Sequence, residues 1–269
     1  MAYNAMSKFT FQLFSDVHME YFKTFPKFEP HADFLFLAGD IGKITLDHFK
    51  PFFDYCSENW KHTFFVLGNH EYYGKKTYTK LNEMYKKLFS EYSNVHLLDN
   101  STYELDDLLI IGSTLWSKCS DTYGLNDFES IHEYNSDHTR KISLTRDTFN
   151  RMHEEAVEFL TTTINNSAKK VVVMSHFPPL QEHTSDPMYS GQPKYMKDYF
   201  ASNILKEGTI KKENILCWLF GHTHYSIDFY EDNIRMISNQ VGYHDERIKF
   251  DHKGVYICHD LGMDSMTRE

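Results

Sequence analysis

A chain of 269 residues with 41% hydrophobic and 25% charged residues has the apolar material for one large α/β core or two small ones, and disorder over most of its length is excluded. Its formal net charge of −10 disfavours an extended nucleic-acid groove but not a small anion drawn to bound cations. No run approaches the ~18 apolar residues of a membrane helix. The opening MAYNAMSKFTFQLF lacks the charged start and long apolar stretch of a secretory leader, so a cytoplasmic protein is expected. Cys56, Cys119, Cys217 and Cys258 are far apart and read as reduced structural thiols.

In chain order, short apolar runs at 9–15, 34–38 and 63–67 predict buried strands. Helical spacing follows at 46–60 and 78–92, the second carrying Leu81, Met84, Tyr85, Leu88 and Phe89 on one side. Strands are expected at 95–98 and 108–113. The stretch 114–139 is polar and irregular, too long for a plain connection, and reads as a functional loop. An amphipathic helix over 144–164 and a strand at 171–174 come next. A second loop at 180–193, a short helix near 195–205, and strands at 215–220, 227–230, 234–238 and 255–258 complete the chain. No linker or repeat interrupts it, so a single domain spanning 1–269 is expected. Alternating strands and helices followed by hairpin-spaced strands imply a mixed α/β class, in which ligands gather where strands end.

Five clusters sit at those ends: Asp16-Val17-His18, Gly39-Asp40, Gly68-Asn69-His70-Glu71, Ser175-His176 and Gly221-His222-Thr223-His224. Glycines beside three of them would let the backbone turn tightly. Each cluster has a bland reading: a turn, a helix cap, a hydrogen-bonded histidine. All five together, each just beyond a strand, point to metal chemistry. Carboxylate, amide and imidazole ligands without a thiolate suit two divalent ions such as Mn²⁺, Fe²⁺ or Zn²⁺, which could share a carboxylate about 3.5–4 Å apart.

These clusters resemble the signature of the calcineurin-like metallophosphoesterases: D-x-H, G-D, G-N-H-E, an isolated H, then G-H-x-H. Thr114-Leu115-Trp116, Asn126-Asp127-Phe128 and Ser238-Asn239-Gln240-Val241-Gly242-Tyr243 further resemble a small-phosphoesterase branch. That branch carries N-P-R-G-Y at the last place, where Gln240-Val241 stand here. Asp40 is followed by Ile41-Gly42-Lys43-Ile44, which fits neither the protein phosphatases nor the purple acid phosphatases.

The resemblance implies a four-layer α/β/β/α sandwich of two mixed sheets flanked by helices. It assigns Asp16, His18 and His224 to one metal, Asn69, His176 and His222 to the other, and Asp40 to both. His70 would stand beside the leaving group. The implied activity is hydrolysis of a small phosphate mono- or diester by in-line attack of a metal-bridging hydroxide. Asn239, Tyr243, His132 and His183 are candidate substrate contacts, and His138 on the same loop as His132 could also reach one. His48, His62, His96 and His153 read as structural. A metal-dependent nuclease is the nearest rival, set apart by comparing a monoester with a bis-ester. A non-catalytic interaction scaffold is the other, set apart by metal content.

Overall fold

The computed structural model describes residues 8–246 and 248–259; the first seven residues, part of the stretch read above for a leader, lie outside them. Two large mixed sheets carry the fold. The first has the order β13-β1-β2-β3-β4, built from β1 (Lys8–Phe14), β2 (Phe34–Ala38), β3 (His62–Val66), β4 (Val95–Leu97) and β13 (Val255–His259). β1 to β4 run parallel and β13 pairs antiparallel at the edge. The second has the order β11-β12-β10-β9-β6-β5, from β5 (Ser101–Leu105), β6 (Leu108–Ser113), β9 (Lys170–Ser175), β10 (Ile215–Leu219), β11 (Ile227–Glu231) and β12 (Ile234–Ser238). Its four central strands are parallel and its two edge strands antiparallel.

Side-chain alternation in the strands explains the layering. Phe9, Phe11, Leu13, Phe36, Ala38, Phe64 and Val66 of the first sheet meet Ile110, Val172, Met174, Cys217, Leu219 and Ile237 of the second in one buried cluster. The intervening residues Leu35, Leu37, Phe65, Val171, Val173 and Trp218 point the other way, into the helix-covered cores. On the first sheet these helices are α1 (Phe49–Asn59) and α2 (Tyr78–Phe89). On the second, α4 (Arg146–Asn166) lays Phe149, Met152, Ala156, Leu160 and Ile164 inward. Thr77 and Thr145 cap the N-termini of α2 and α4, their side chains accepting from Lys80 N and Thr148 N. The four-layer expectation holds.

The expectation for 114–139 needs correction. That stretch contains α3 (Asp127–Ser130) and β7 (His132–Tyr134), which pairs antiparallel with β8 (Lys141–Ser143). Strand β5 also escaped the sequence reading, because its residues are half-exposed or exposed along an edge and carry no apolar run. The short helix near 195–205 is α5 (Lys194–Phe200), ending five residues early. The four cysteines are free and buried. No described helix is long and apolar enough to cross a membrane.

Candidate metal centre

All five clusters leave the C-terminal ends of parallel strands β1, β2, β3, β9 and β10, so the two sheets deliver them to one rim of the sandwich. A parallel bridge between Ser15 and Gln240 joins the sheets there. The turns are strained. Asp16, His18, Asp40, His222 and His224 all have positive φ, between 50° and 75°. Such conformations cost roughly 1–3 kcal/mol each for residues with a Cβ and persist where the surroundings over-determine them.

Only one of the three glycines acts through its backbone freedom: Gly39 has φ 87°. The other two make room for the Asp40 and Asp16 side chains. A Cβ on Gly68 would lie 2.1 Å from Asp40 Oδ1, and one on Gly221 2.6 Å from Asp16 Oδ2. The tight-turn expectation for these two is therefore corrected to close approach.

The seven expected ligands converge in two groups. His18 Nε2 and His224 Nε2 stand 3.1 Å apart, and Asp16 Oδ1 lies 3.6 Å from His224 Nε2. Across from them, His176 Nε2 is 3.0 Å from Asn69 Oδ1, and Asp40, His176 and His222 bring ligand atoms within 4.8 Å of one another. Asp40 Oδ2 sits between the groups, 3.8 Å from His18 Nε2 and 3.4 Å from His176 Nε2. Donors about 2.0–2.2 Å from one tetrahedral ion are ~3.3–3.6 Å apart, so these separations suit ligation. His222 Nε2 is buried with no hydrogen-bond partner among the described residues, as a donor atom awaiting a cation would be.

Six of the seven candidate ligands are aimed by a second bond, His222 being the exception. His176 Nδ1 donates to Ala38 O at 2.8 Å, His18 Nδ1 to Glu20 Oε1 at 3.3 Å, and His224 Nδ1 to Glu246 Oε2. Asn69 Nδ2 donates to Asp127 Oδ1 at 2.8 Å, which turns its amide oxygen toward His176. His70 N–H donates to Asp40 Oδ1 at 2.8 Å, leaving Oδ2 for the shared position. Asp16 accepts from the His222 N–H.

Charge balance follows from this crowding. Against the upward pull of burial, the neighbouring imidazoles of His176 and His70 hold the Asp40 carboxyl well below the usual carboxylate range. Burial lowers His176, but Asp40 more than offsets it and raises the ring to about 9. Burial and the charge of His176 push His222 down.

His70 lies in the cleft beside these groups, stacked on Tyr73 with centroids 4.1 Å apart. Its Nδ1 donates to Glu20 Oε1 at 3.0 Å, and Nε2 faces the Tyr243 hydroxyl at 3.2 Å. Burial disfavours its cationic form, yet Asp40 and Glu20 together raise its pKa. Glu20 in turn is held at about 2, hydrogen bonds from His18 and His70 overcoming the opposing effect of burial.

Of the candidate substrate contacts, only Tyr243 lines the cleft. Asn239 is buried, with Nδ2 donating to Leu13 O and Asp251 O, and Oδ1 accepting from Asp251 N; it ties β1 to the loop before β13. His132 is half-buried on β7, and His183 is exposed against Phe229; neither lines the cleft. His138 is exposed beside Tyr134. The four structural histidines are spent internally: His48 on Met19 O, His153 on Leu115 O, and His62 on His96.

Several supporting residues escaped the sequence reading. Glu71 is buried and accepts four backbone N–H bonds, from Asp40, Ile41, Gly42 and Gly68, at 2.6–2.9 Å. Burial and Asp40 push its carboxyl up, while the N–H donors occupy its lone pairs and pull it down. Its place in the Gly68-Asn69-His70-Glu71 cluster was the available signal. Asp127 had one too, in the Asn126-Asp127-Phe128 stretch. Glu20, lying two residues beyond His18, and Glu246 are lone acidic residues without a pattern.

The model of the calcineurin-like phosphoesterase family matches residues 9–226. The chain belongs to that family. It is 32% identical over 260 residues, covering 88% of this chain and 92% of the other, to the uncharacterized protein L509 of Acanthamoeba polyphaga mimivirus. Among solved structures it resembles a phosphopantetheinyl hydrolase from Mycobacterium tuberculosis, with a TM-score of 0.60 and 16% identity over 87% of this chain and 89% of that one. It also resembles a dimetal phosphatase from Danio rerio, with a TM-score of 0.48 and 15% identity over 86% and 87%.

Proposed function

We propose that this chain hydrolyses small phosphate esters with two divalent ions, held by Asp16, His18 and His224 on one side and Asn69, His176 and His222 on the other, with Asp40 shared. The observation that carries this reading is Asp40 Oδ2, one oxygen within 3.8 Å of an imidazole nitrogen from each group. When bound, such ions supply a nucleophilic water near neutral pH and neutralise the substrate phosphate. Mn²⁺, Fe²⁺ and Zn²⁺ all suit the mixed nitrogen and oxygen donors.

The protein's own groups do the rest. The αL turns hold the ligands in place before substrate arrives, so little reorganisation is needed. His70 Nε2 opens on the cleft and carries a proton to the departing oxygen. Glu20 orients the ring by accepting from Nδ1–H, which leaves the transferable proton on Nε2, and stabilises the ring's positive charge. Tyr243, on the far side of Nε2, gives the imidazole a partner between turnovers.

Purified chain, stripped with a chelator and reloaded with each ion, tests the reading. Two ions per chain and hydrolysis of a monoester or bis-ester are expected, and Asp40→Asn should lose both ions together. Tight retention of a single ion by Asp40→Asn would contradict the shared position. A reloaded wild-type chain inert on every ester would favour a binding role for the same fold.

A further inference from the structure

The metal-ligating edge accounts for only part of the cleft. The cavity measures about 360 Å³, at the lower end of small-molecule sites, and most of its wall belongs to no phosphate chemistry. That wall is aromatic and apolar: Tyr73, Tyr189, Met196, Tyr199, Phe200 and Tyr243. Tyr243 packs against both His18 and His224 with centroids 4.6 Å away, and Phe200 lies 5.4 Å from His222. Rings therefore flank the centre on both sides of the shared carboxylate.

Two of these side chains stay open to solvent despite their size: Phe200 is 38% exposed and Tyr189 47%. Tyr123 and Met188, next in sequence to the lining residues Gly124 and Tyr189, are 81% and 74% exposed. Exposed apolar side chains grouped around one opening mark a surface that gains by being covered. Lys197 is the sole lysine or arginine among the lining residues, whereas Asp40 and Glu246 add negative charge. A polyphosphate would find one ammonium there. A single phosphate on the ions, with an uncharged flat group beyond it, matches both the charge and the shape.

We infer that the cleft beside the metal centre is a leaving-group subsite for a planar aromatic ring, so that the favoured substrate is a single phosphate ester of a ring-bearing alcohol. This rests on the phosphoesterase reading above and narrows it. The ring stacks between Tyr243 and the Tyr189–Phe200 wall, while Lys197 and Gln192 meet polar atoms at its edge. The chemistry is shared by nucleobases and by simple aryl groups.

Matched substrates decide it, because each pair keeps the same kind of primary-alcohol leaving group. Adenosine 5′-monophosphate is set against ribose 5-phosphate, and benzyl phosphate against ethyl and hexyl phosphate, all with Mn²⁺-loaded enzyme. The expected result is kcat/KM about tenfold higher for at least one ring-bearing member, carried mainly by KM. Whichever pair responds identifies the source of the ring. Tyr189→Ala and Phe200→Leu should shrink that preference to ~2-fold, with KM for the ring substrate rising more than kcat falls. Twins turned over within twofold of each other in both pairs, or a preference unmoved in both variants, would each overturn the assignment.

A second readout needs no turnover. Metal-free protein should transfer magnetisation to adenosine or benzyl alcohol in a saturation-transfer experiment, and Tyr189→Ala should weaken the signal. If no ester were hydrolysed, the phosphoesterase reading would fall while this measurement still decided the subsite. Absence of transfer to either compound in that case would remove it.

Discussion

Four backbone N–H groups converging on one buried carboxylate make Glu71 the clamp between the Gly39-Asp40 and Gly68-Asn69 turns. An amide there would turn one acceptor into a donor facing those N–H groups. Glu71→Gln is expected to cost about 2–4 kcal/mol in denaturant unfolding and to weaken metal binding. Its neighbour His70 should behave oppositely. His70→Ala should keep the folded centre and its metal content, since the bond that holds Asp40 comes from the backbone N–H of residue 70 and survives the substitution. Turnover of an alkyl phosphate should nonetheless fall by ~10²–10⁴-fold. The loss should shrink for a nitrophenyl ester, whose leaving group departs without a proton. Full activity on the alkyl ester would remove His70 from the mechanism.

At the scale of elements, β3 and β4 carry a device unrelated to catalysis. Phe64 on β3 pairs with His96 on β4, and His62 Nδ1 lies 2.9 Å from His96 Nε2 beneath the ring of Tyr103. Burial, with help from the charge of His62, drops His96 to about 4, and burial lowers His62 as well. The folded form therefore stays neutral at His96 where the unfolded chain, near 6.5, takes up a proton. The stability difference is present above pH 6.5 and is lost as pH falls from about 6.5 toward 4. His96→Phe should flatten the melting temperature across that window, raising it by ~2 °C or more at pH 5 relative to wild type. Parallel slopes for the two proteins would show that acid sensitivity arises elsewhere.

For the molecule as a whole, five candidate ligand residues at positive φ and a buried cluster of imidazoles and carboxylates make the metal-free rim a costly part of the fold. Cations that bind only the folded chain would stabilise it by mass action, about 4 kcal/mol at a thousandfold excess over Kd. Chelation is thus expected to lower the melting temperature by ~8 °C or more, and either Mn²⁺ or Zn²⁺ to restore it. Unchanged melting under a strong chelator would argue against ions bridging the two sheets. The candidate ligands follow β1, β2 and β3 in one sheet and β9 and β10 in the other. Occupancy would fasten the layers at one rim.

Most strand positions, the long core helix and the candidate ligand clusters were legible in the chain, because they depend on local periodicity and on residues that follow a strand directly. The stretches at 34–38 and 234–238 coincide with β2 and β12 to the residue. Edge strand β5 and the β7–β8 hairpin were not, since their pairing partners rather than their own composition hold them in place. The same division runs through the site. The sequence determined which side chains could ligate, and the family signature grouped them. Tertiary structure alone decided that Glu20 serves both His18 and His70, that Asn239 is consumed by backbone bonds, and that Tyr73, Tyr189, Phe200 and Tyr243 face one cavity. Those meetings join positions up to 226 residues apart in a 269-residue chain, and long-range packing leaves no local pattern to read.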